Sequence, residues 1–135
     1  MPLFEWSSRF LLGVPDVDKH HKYLVWLINK IYDKHMGGAS AANVGLIINE
    51  LIEYAAYHFE AEERWMKIDS YPKLAEHKAE HEGFSERVIS YQKSLNAGNA
   101  VLLTELLPFL EEWVNAHILD SDGDYGRFRA ANGKK

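Results

Sequence analysis

Apolar side chains recur at intervals of three and four residues in four successive stretches of this chain. His21, Leu24, Ile28, Ile31 and His35 form the first stripe, and Val44, Ile47, Leu51, Ala55, His58, Glu62 and Trp65 the second. Leu74, His77, His81, Phe84, Val88, Tyr91 and Leu95 form the third, and Leu103, Leu106, Leu110, Trp113 and His117 the fourth. That period marks an amphipathic helix with one buried face. Gly37-Gly38, Asp69-Ser70-Tyr71-Pro72 and Asn96-Ala97-Gly98-Asn99 separate the stripes. Glycine and asparagine end helices, and Pro72 suits the first turn of a new one. Asp16 or Asp18 is a candidate cap for the first helix and Ser40 for the second. Pro108 removes one backbone bond from the fourth, but the apolar period runs through it in phase. The helices are expected at about 17–36, 41–67, 72–95 and 100–119. Residues 1–15 lack helical period and read as an extended N-terminal arm on the outside. Gly123 and Gly126 are expected to end regular structure, with 127–135 a polar tail. The fold expected is all-α, an antiparallel up-down-up-down four-helix bundle, with 1–135 a single domain.

Composition narrows the function. The formal charge is −5 with no basic block before the last few residues, which argues against a nucleic-acid partner. No cysteine is present, so disulfides, thiolate zinc sites, Cys-ligated clusters and attached c-type haem are excluded. Acidic and amide residues (Asn49, Glu50, Glu53) interrupt the apolar runs well short of the ~20 residues a membrane span needs. The opening Met-Pro-Leu-Phe-Glu-Trp has no signal-peptide pattern, so a cytoplasmic, soluble domain is expected.

The polar members of the stripes are the informative ones. His58 and Glu62 lie four residues apart, as do His77 and His81, which stacks each pair on one helical face. His21 falls near the start of the first helix, His58 and Glu62 near the end of the second. His77 and His81 fall near the start of the third, and His117 near the end of the fourth. In an antiparallel bundle all of these lie at the same end. Buried and unpaired, each would cost roughly 1–3 kcal/mol or more, and a metal ion would satisfy them together.

Two divalent ions beside neutral imidazoles call for a second carboxylate. Asp122 is the candidate, although five residues after His117 is ~140° around a regular helix. It can join His117 only if the helix ends or bulges near Leu119. Asp120 is the alternative, three residues on and over the same turn. Five imidazoles and two carboxylates suit a first-row pair such as iron and are too nitrogen-rich for calcium or magnesium. The Glu-x-x-His pairs of ferritin-like centres are absent.

The pattern resembles the hemerythrin family, in particular its bacterial members. It is carried by Trp6, Gly13, the run Asp18-Lys19-His20-His21-Lys22-Tyr23-Leu24 and the run His58-Phe59-Glu60-Ala61-Glu62-Glu63. Tyr71-Pro72, His77-Lys78-Ala79-Glu80-His81, Trp113-Val114-Asn115-Ala116-His117-Ile118 and Asp122 complete it. The resemblance implies two iron ions, one held by His77, His81 and His117 and the other by His21 and His58. Glu62, Asp122 and an oxo or hydroxo group would bridge them. It further implies reversible dioxygen binding, with the oxygen held as hydroperoxide on the iron that has an open position. Leu24, Phe59, Trp113, Val114 and Ile118 would line the pocket. Val114 is smaller than the leucine more usual there, so a roomier pocket and faster autoxidation are expected. His20 stands where the family usually has glutamine, which leaves His20 and His21 both open as the ligand; the stripe favours His21. The implied protein is an oxygen carrier with no catalytic residue, although peroxidase-like side activity is easy for such a centre. The competing functions are a di-iron redox enzyme and an oxygen or redox sensor.

Several other features carry less. His35 is expected to be a partly exposed histidine at the opposite end. Trp65 and Met66 read as core or pocket-rim packing. Glu60, Glu63, Glu80 and Glu82 read as a solvated face, with one of them available to bond a ligand imidazole. The run Asp120 to Gly126 begins like a calcium loop, but Tyr125 and Ala131 stand where glycine and glutamate are needed.

Overall fold

The computed structural model describes residues 6–12, 14–38, 40–97 and 103–132. Four long helices form the bundle: α1 (Pro15–Met36), α2 (Ala41–Ile68), α3 (Leu74–Asn96) and α4 (Leu103–Ala116). Each packs against the next in sequence, and α4 closes the ring on α1. No strand occurs among the described residues. The all-α bundle expected from the four stripes is the observed fold.

Local chemistry explains most of the boundaries. Pro15 opens α1, with Asp16 and Asp18 in the first turn where the helix dipole favours negative charge. Asp18 does not cap the helix; its Oδ1 accepts from the Leu12 backbone N–H at 2.8 Å and ties down the preceding arm. Gly38 ends the helix region at φ +80°, a conformation glycine adopts without strain. The Ser40 hydroxyl caps α2 by accepting from the Asn43 N–H at 3.2 Å. Pro108 lies inside α4 on its exposed side.

Three expectations change. The arm is not wholly extended, because Ser8–Phe10 makes one 3₁₀ turn. That turn stacks Trp6 on Phe10 at 5.3 Å between ring centres and sinks Phe10 into the core. Pro72 does not begin α3, which starts at Leu74 after a turn with Ser70 at φ +57°. The expected start of the fourth helix near 100 lies outside the described residues.

The largest change is at the C-terminal end. Instead of a polar tail after Gly126, a fifth helix, α5, spans Gly123–Ala131. Its anchor is Tyr125, 1% exposed, whose hydroxyl donates to Asp69 Oδ2 at 2.5 Å. Arg129 Nη1 donates to the same oxygen at 2.6 Å, and Phe128 meets the Tyr71 ring. Gly126 sits where a Cβ would lie 3.2 Å from Leu12 Cβ, so a larger residue would push the arm and α5 slightly apart. A short polar sequence with two glycines carries little apolar period, which hides a helix held by tertiary bonds.

Candidate metal centre

His21, His58, Glu62, His77, His81, His117 and Asp122 meet at one end of the bundle, each between 0% and 4% exposed. The α2 and α3 pairs arrive by regular helical spacing. Asp122 arrives differently. His117–Asp122 is wound as a π-helical turn between α4 and α5. Bonding from i to i+5 widens the turn by one residue and carries Asp122 back over His117, with Oδ1 3.3 Å from His117 Nε2. The helix bulges rather than ends, and Asp120 is left exposed to solvent.

Each carboxylate spans the cluster with one oxygen on either side. Glu62 Oε1 lies 2.5 Å from His77 Nε2 and 3.3 Å from His81 Nε2. Its Oε2 lies 3.2 Å from His58 Nε2 and 3.5 Å from His21 Nε2. Asp122 Oδ1 lies 2.7 Å from His77 Nε2, while Oδ2 lies 2.9 Å from His21 Nε2. The ligand-type atoms therefore divide into two overlapping groups able to hold an ion. One is Glu62, His77, His81, His117 and Asp122; the other is His21, His58, Glu62 and Asp122.

The chemistry of the donors fits metal ions. His21 Nε2, His58 Nε2, Glu62 Oε2 and both Asp122 oxygens are buried and make no hydrogen bond of acceptable geometry. Unpaired buried polar groups cost ~1–3 kcal/mol apiece, so five in one place call for a shared partner. The outer hydrogen bonds point the same way. His81 Nδ1 donates to Glu63 Oε2 at 2.7 Å, and His117 Nδ1 donates to Glu80 Oε1 at 2.9 Å. A carboxylate only accepts, so those Nδ1 atoms carry the protons. That leaves the two Nε2 atoms facing each other 3.1 Å apart, where a cation between them would take both lone pairs.

Protonation follows from the same crowding. Burial disfavours charge on His21 and His77, but Asp122 and Glu62 outweigh it and raise both to about 9. His117 is likewise raised, against its burial, by Asp122, Glu62 and Glu80. Glu62 and Asp122 are held below the ordinary carboxylate range, burial notwithstanding, by the imidazoles around them. Without a cation, the two carboxylates draw protons onto His21, His77 and His117 instead, while burial holds His58 below its ordinary value.

The sequence left His20 and His21 open; the structure puts His21 in the cluster. His20 lies one layer out, with Nδ1 2.9 Å from His58 Nδ1. Its role was not visible from spacing, since it occupies an outward helix position; of the four glutamates expected to offer one such bond, Glu63 and Glu80 both make one, to separate imidazoles. Leu24, Phe59, Val114 and Ile118 are buried together in the apolar core, with Trp113 packed against it. Phe59 stacks on His81 at 3.9 Å and Trp113 on His117 at 4.3 Å, so both rings flank the three-imidazole group. Met66 is fully buried, with Trp65 at the edge of its cluster, and His35 is partly exposed.

Comparison with known proteins agrees. Residues 12–128 match the family model described as the hemerythrin HHE cation binding domain. A bacteriohemerythrin of Clostridium acetobutylicum is 33% identical over 91% of this chain and 98% of its own length. One from Stenotrophomonas maltophilia is 32% identical over 93% of this chain and 80% of its own. The crystal structure of a wild-type hemerythrin superposes with a TM-score of 0.85 at 30% identity, covering 93% of this chain and 96% of that one. With the matched segment enclosing every residue of the cluster, the chain belongs to the hemerythrin family.

Proposed function

We propose that this chain binds dioxygen reversibly at a pair of iron ions. The observation that carries the proposal is the division of five imidazoles, three to one side and two to the other, across two carboxylates that each span both groups. His77, His81 and His117 would hold one ion, and His21 and His58 the other. Glu62 and Asp122, with an oxo or hydroxo group, would join them. Iron bound there supplies the electrons that reversible dioxygen binding requires.

The chain's own residues do the rest. The two-imidazole side offers fewer ligand atoms, so dioxygen would enter there. Glu63 and Glu80 fix the imidazole tautomers on the other side and keep that half filled. Leu24, Phe59, Trp113, Val114 and Ile118 would wall the pocket, excluding the water and protons that turn reversible binding into reduction. None of these five side chains is an acid or base, which favours a carrier over an enzyme. A cytoplasmic location belongs to the same proposal. No described helix is long and apolar enough to cross a membrane.

The test is anaerobic loading with ferrous iron, metal analysis, and optical spectra through cycles of dioxygen and argon. Two irons per chain and an absorption band that appears and vanishes with dioxygen are expected. Irreversible oxidation after one exposure, at a turnover-like rate, would favour a redox enzyme. Protein that retains only zinc from an iron-replete host would overturn both.

A further inference from the structure

Beyond the buried cluster, the two halves of the site meet different surroundings. On the three-imidazole side, the ring on His117 is Trp113, and beyond it stand Phe84 and Phe109 at 4.4 Å and then 6.1 Å. Phenylalanine holds its electrons too tightly to relay them singly, so that route goes no further than Trp113, which is partly exposed but much less open to water than Tyr57. On the two-imidazole side, His58 is bonded to His20 through Nδ1 atoms 2.9 Å apart. The His20 ring in turn meets Tyr57 at 5.3 Å, the half-buried Trp65 at 5.7 Å and Tyr54 at 5.8 Å. Tyr57 is 59% exposed. One bonded imidazole therefore separates a site histidine from an oxidisable phenol in contact with water. A side branch runs from Tyr54 to Tyr23 at 4.5 Å and on to Trp26 at 5.3 Å. Lys30 Nζ lies 4.9 Å over the Trp26 ring, and a cation there opposes removal of an electron from the indole. The branch needs a second ring step to reach exposed Tyr23, whereas Tyr57 is one step from His20 and more exposed, so Tyr57 is the better exit.

We propose that Tyr57, reached through His20, is the surface exit for oxidising equivalents from the site, giving the chain a peroxide-driven activity toward small one-electron reductants such as phenols and enediols. The proposal rests on the di-iron reading of the cluster. Hydrogen peroxide takes two electrons and two protons and becomes two waters as its O–O bond breaks. The electrons reach the site one at a time from Tyr57 through His20, and the phenolic proton of Tyr57 passes to water at its exposed end. Each tyrosyl radical then takes a hydrogen atom from one reductant AH. The sum is H₂O₂ + 2 AH → 2 H₂O + 2 A•, with Tyr57 restored. His20 is a positioning residue in this scheme: it holds the His58 ring and carries the electron path without touching peroxide or reductant.

The experiment uses the full chain loaded with iron. Iron content and the reversible dioxygen band are read first, on the same sample. Hydrogen peroxide is then added without a reductant, and oxidised tyrosine and tryptophan, including dityrosine, are mapped by peptide mass spectrometry. Label should concentrate at Tyr57 in loaded protein and be absent from metal-free protein given the same peroxide. Tyr57→Phe should move the label to Trp65, Tyr54 and Tyr23 while leaving the dioxygen band unchanged. His20→Gln keeps an acceptor for His58 but removes the ring. It should lower label at all three tyrosines about tenfold, the usual size of an outer-partner loss. Equal label with and without metal, or label at Trp113 in place of Tyr57, would overturn the relay. If two irons bind and the band is reversible but label is spread evenly, the relay alone fails. If label reaches Tyr57 while the band is irreversible, the relay stands and the carrier reading fails. Protein that binds no iron under any loading condition removes both.

Discussion

The α2–α3 side of the site and the α4 side reach the same cluster by different backbone means. On α2 and α3 the ligand-type residues stand four apart on regular helix, so His58, Glu62, His77 and His81 need nothing beyond ordinary helical winding. On α4 a regular helix would turn Asp122 away from His117, and a π-helical turn corrects the aim. The first arrangement comes with the helix and the second must be built into it. Because α5 follows without a break, the turn behaves as one extra residue inserted into a continuous helix.

The sharpest challenge to this comparison removes each spanning carboxylate in turn. Glu62→Ala and Asp122→Ala should both abolish binding of the iron pair, read as metal per chain, because each carboxylate touches both groups. Retention of two ions by either variant would show that the two backbone routes are not equivalent in function.

Next come the outer partners. Glu63→Gln and Glu80→Gln remove the carboxylates that orient His81 and His117, and each should weaken metal affinity about 10–100-fold in a competition titration. Losses below threefold would mean that packing by Phe59 and Trp113 alone orients those rings.

Protonation of the metal-free protein gives a third test. His21 and His77 have folded values raised to about 9 against an ordinary 6.5. A raised value stabilises the fold fully below about pH 6.5 and loses that contribution as pH climbs through about 9. Glu62 and Asp122 are depressed, so their contribution is present above about pH 4 and lost below it. His58, held down by burial, loses its contribution as pH falls below about 6.5, so the metal-free chain should melt highest near pH 6.5 and lower toward pH 9. A melting temperature that rises over that interval would contradict the charge balance described for the cluster.

The π turn can be attacked directly. Deleting exposed Asp120 leaves His117 and Asp122 four apart, the spacing already used on α2 and α3, without shifting the register of α5. Metal affinity should then stay within about tenfold, the range of an outer-partner change. Complete loss would show that the bulge does more than insert one residue. The smallest effect concerns the pocket. Val114→Ala should speed autoxidation severalfold, followed optically after dioxygen loading, and an unchanged rate would remove Val114 from the pocket wall.

The same contrast explains what the sequence could reveal. Four stripes and regular four-residue pairs are helical by period, so the bundle and the α2 and α3 residues were legible. A bulge was legible only as a requirement, because Asp122 could not otherwise reach His117; nothing in Ile118 to Ser121 spells it. α5 was hidden because its anchors, Tyr125 and Arg129 on Asp69, are tertiary bonds across 56 and 60 residues of chain. The bonding of a glutamate to a ligand imidazole was foreseen for one of Glu60, Glu63, Glu80 and Glu82, but that two do so, and that His20 bonds His58, appears only once the neighbouring helix is placed.

Mössbauer spectroscopy of protein loaded with ⁵⁷Fe and exposed to dioxygen tests the asymmetric two-ion site most directly. Three imidazoles on one side and two on the other predict two quadrupole doublets of equal area, from two irons per chain in different surroundings. A single iron per chain, or one doublet accounting for all the iron, would contradict it.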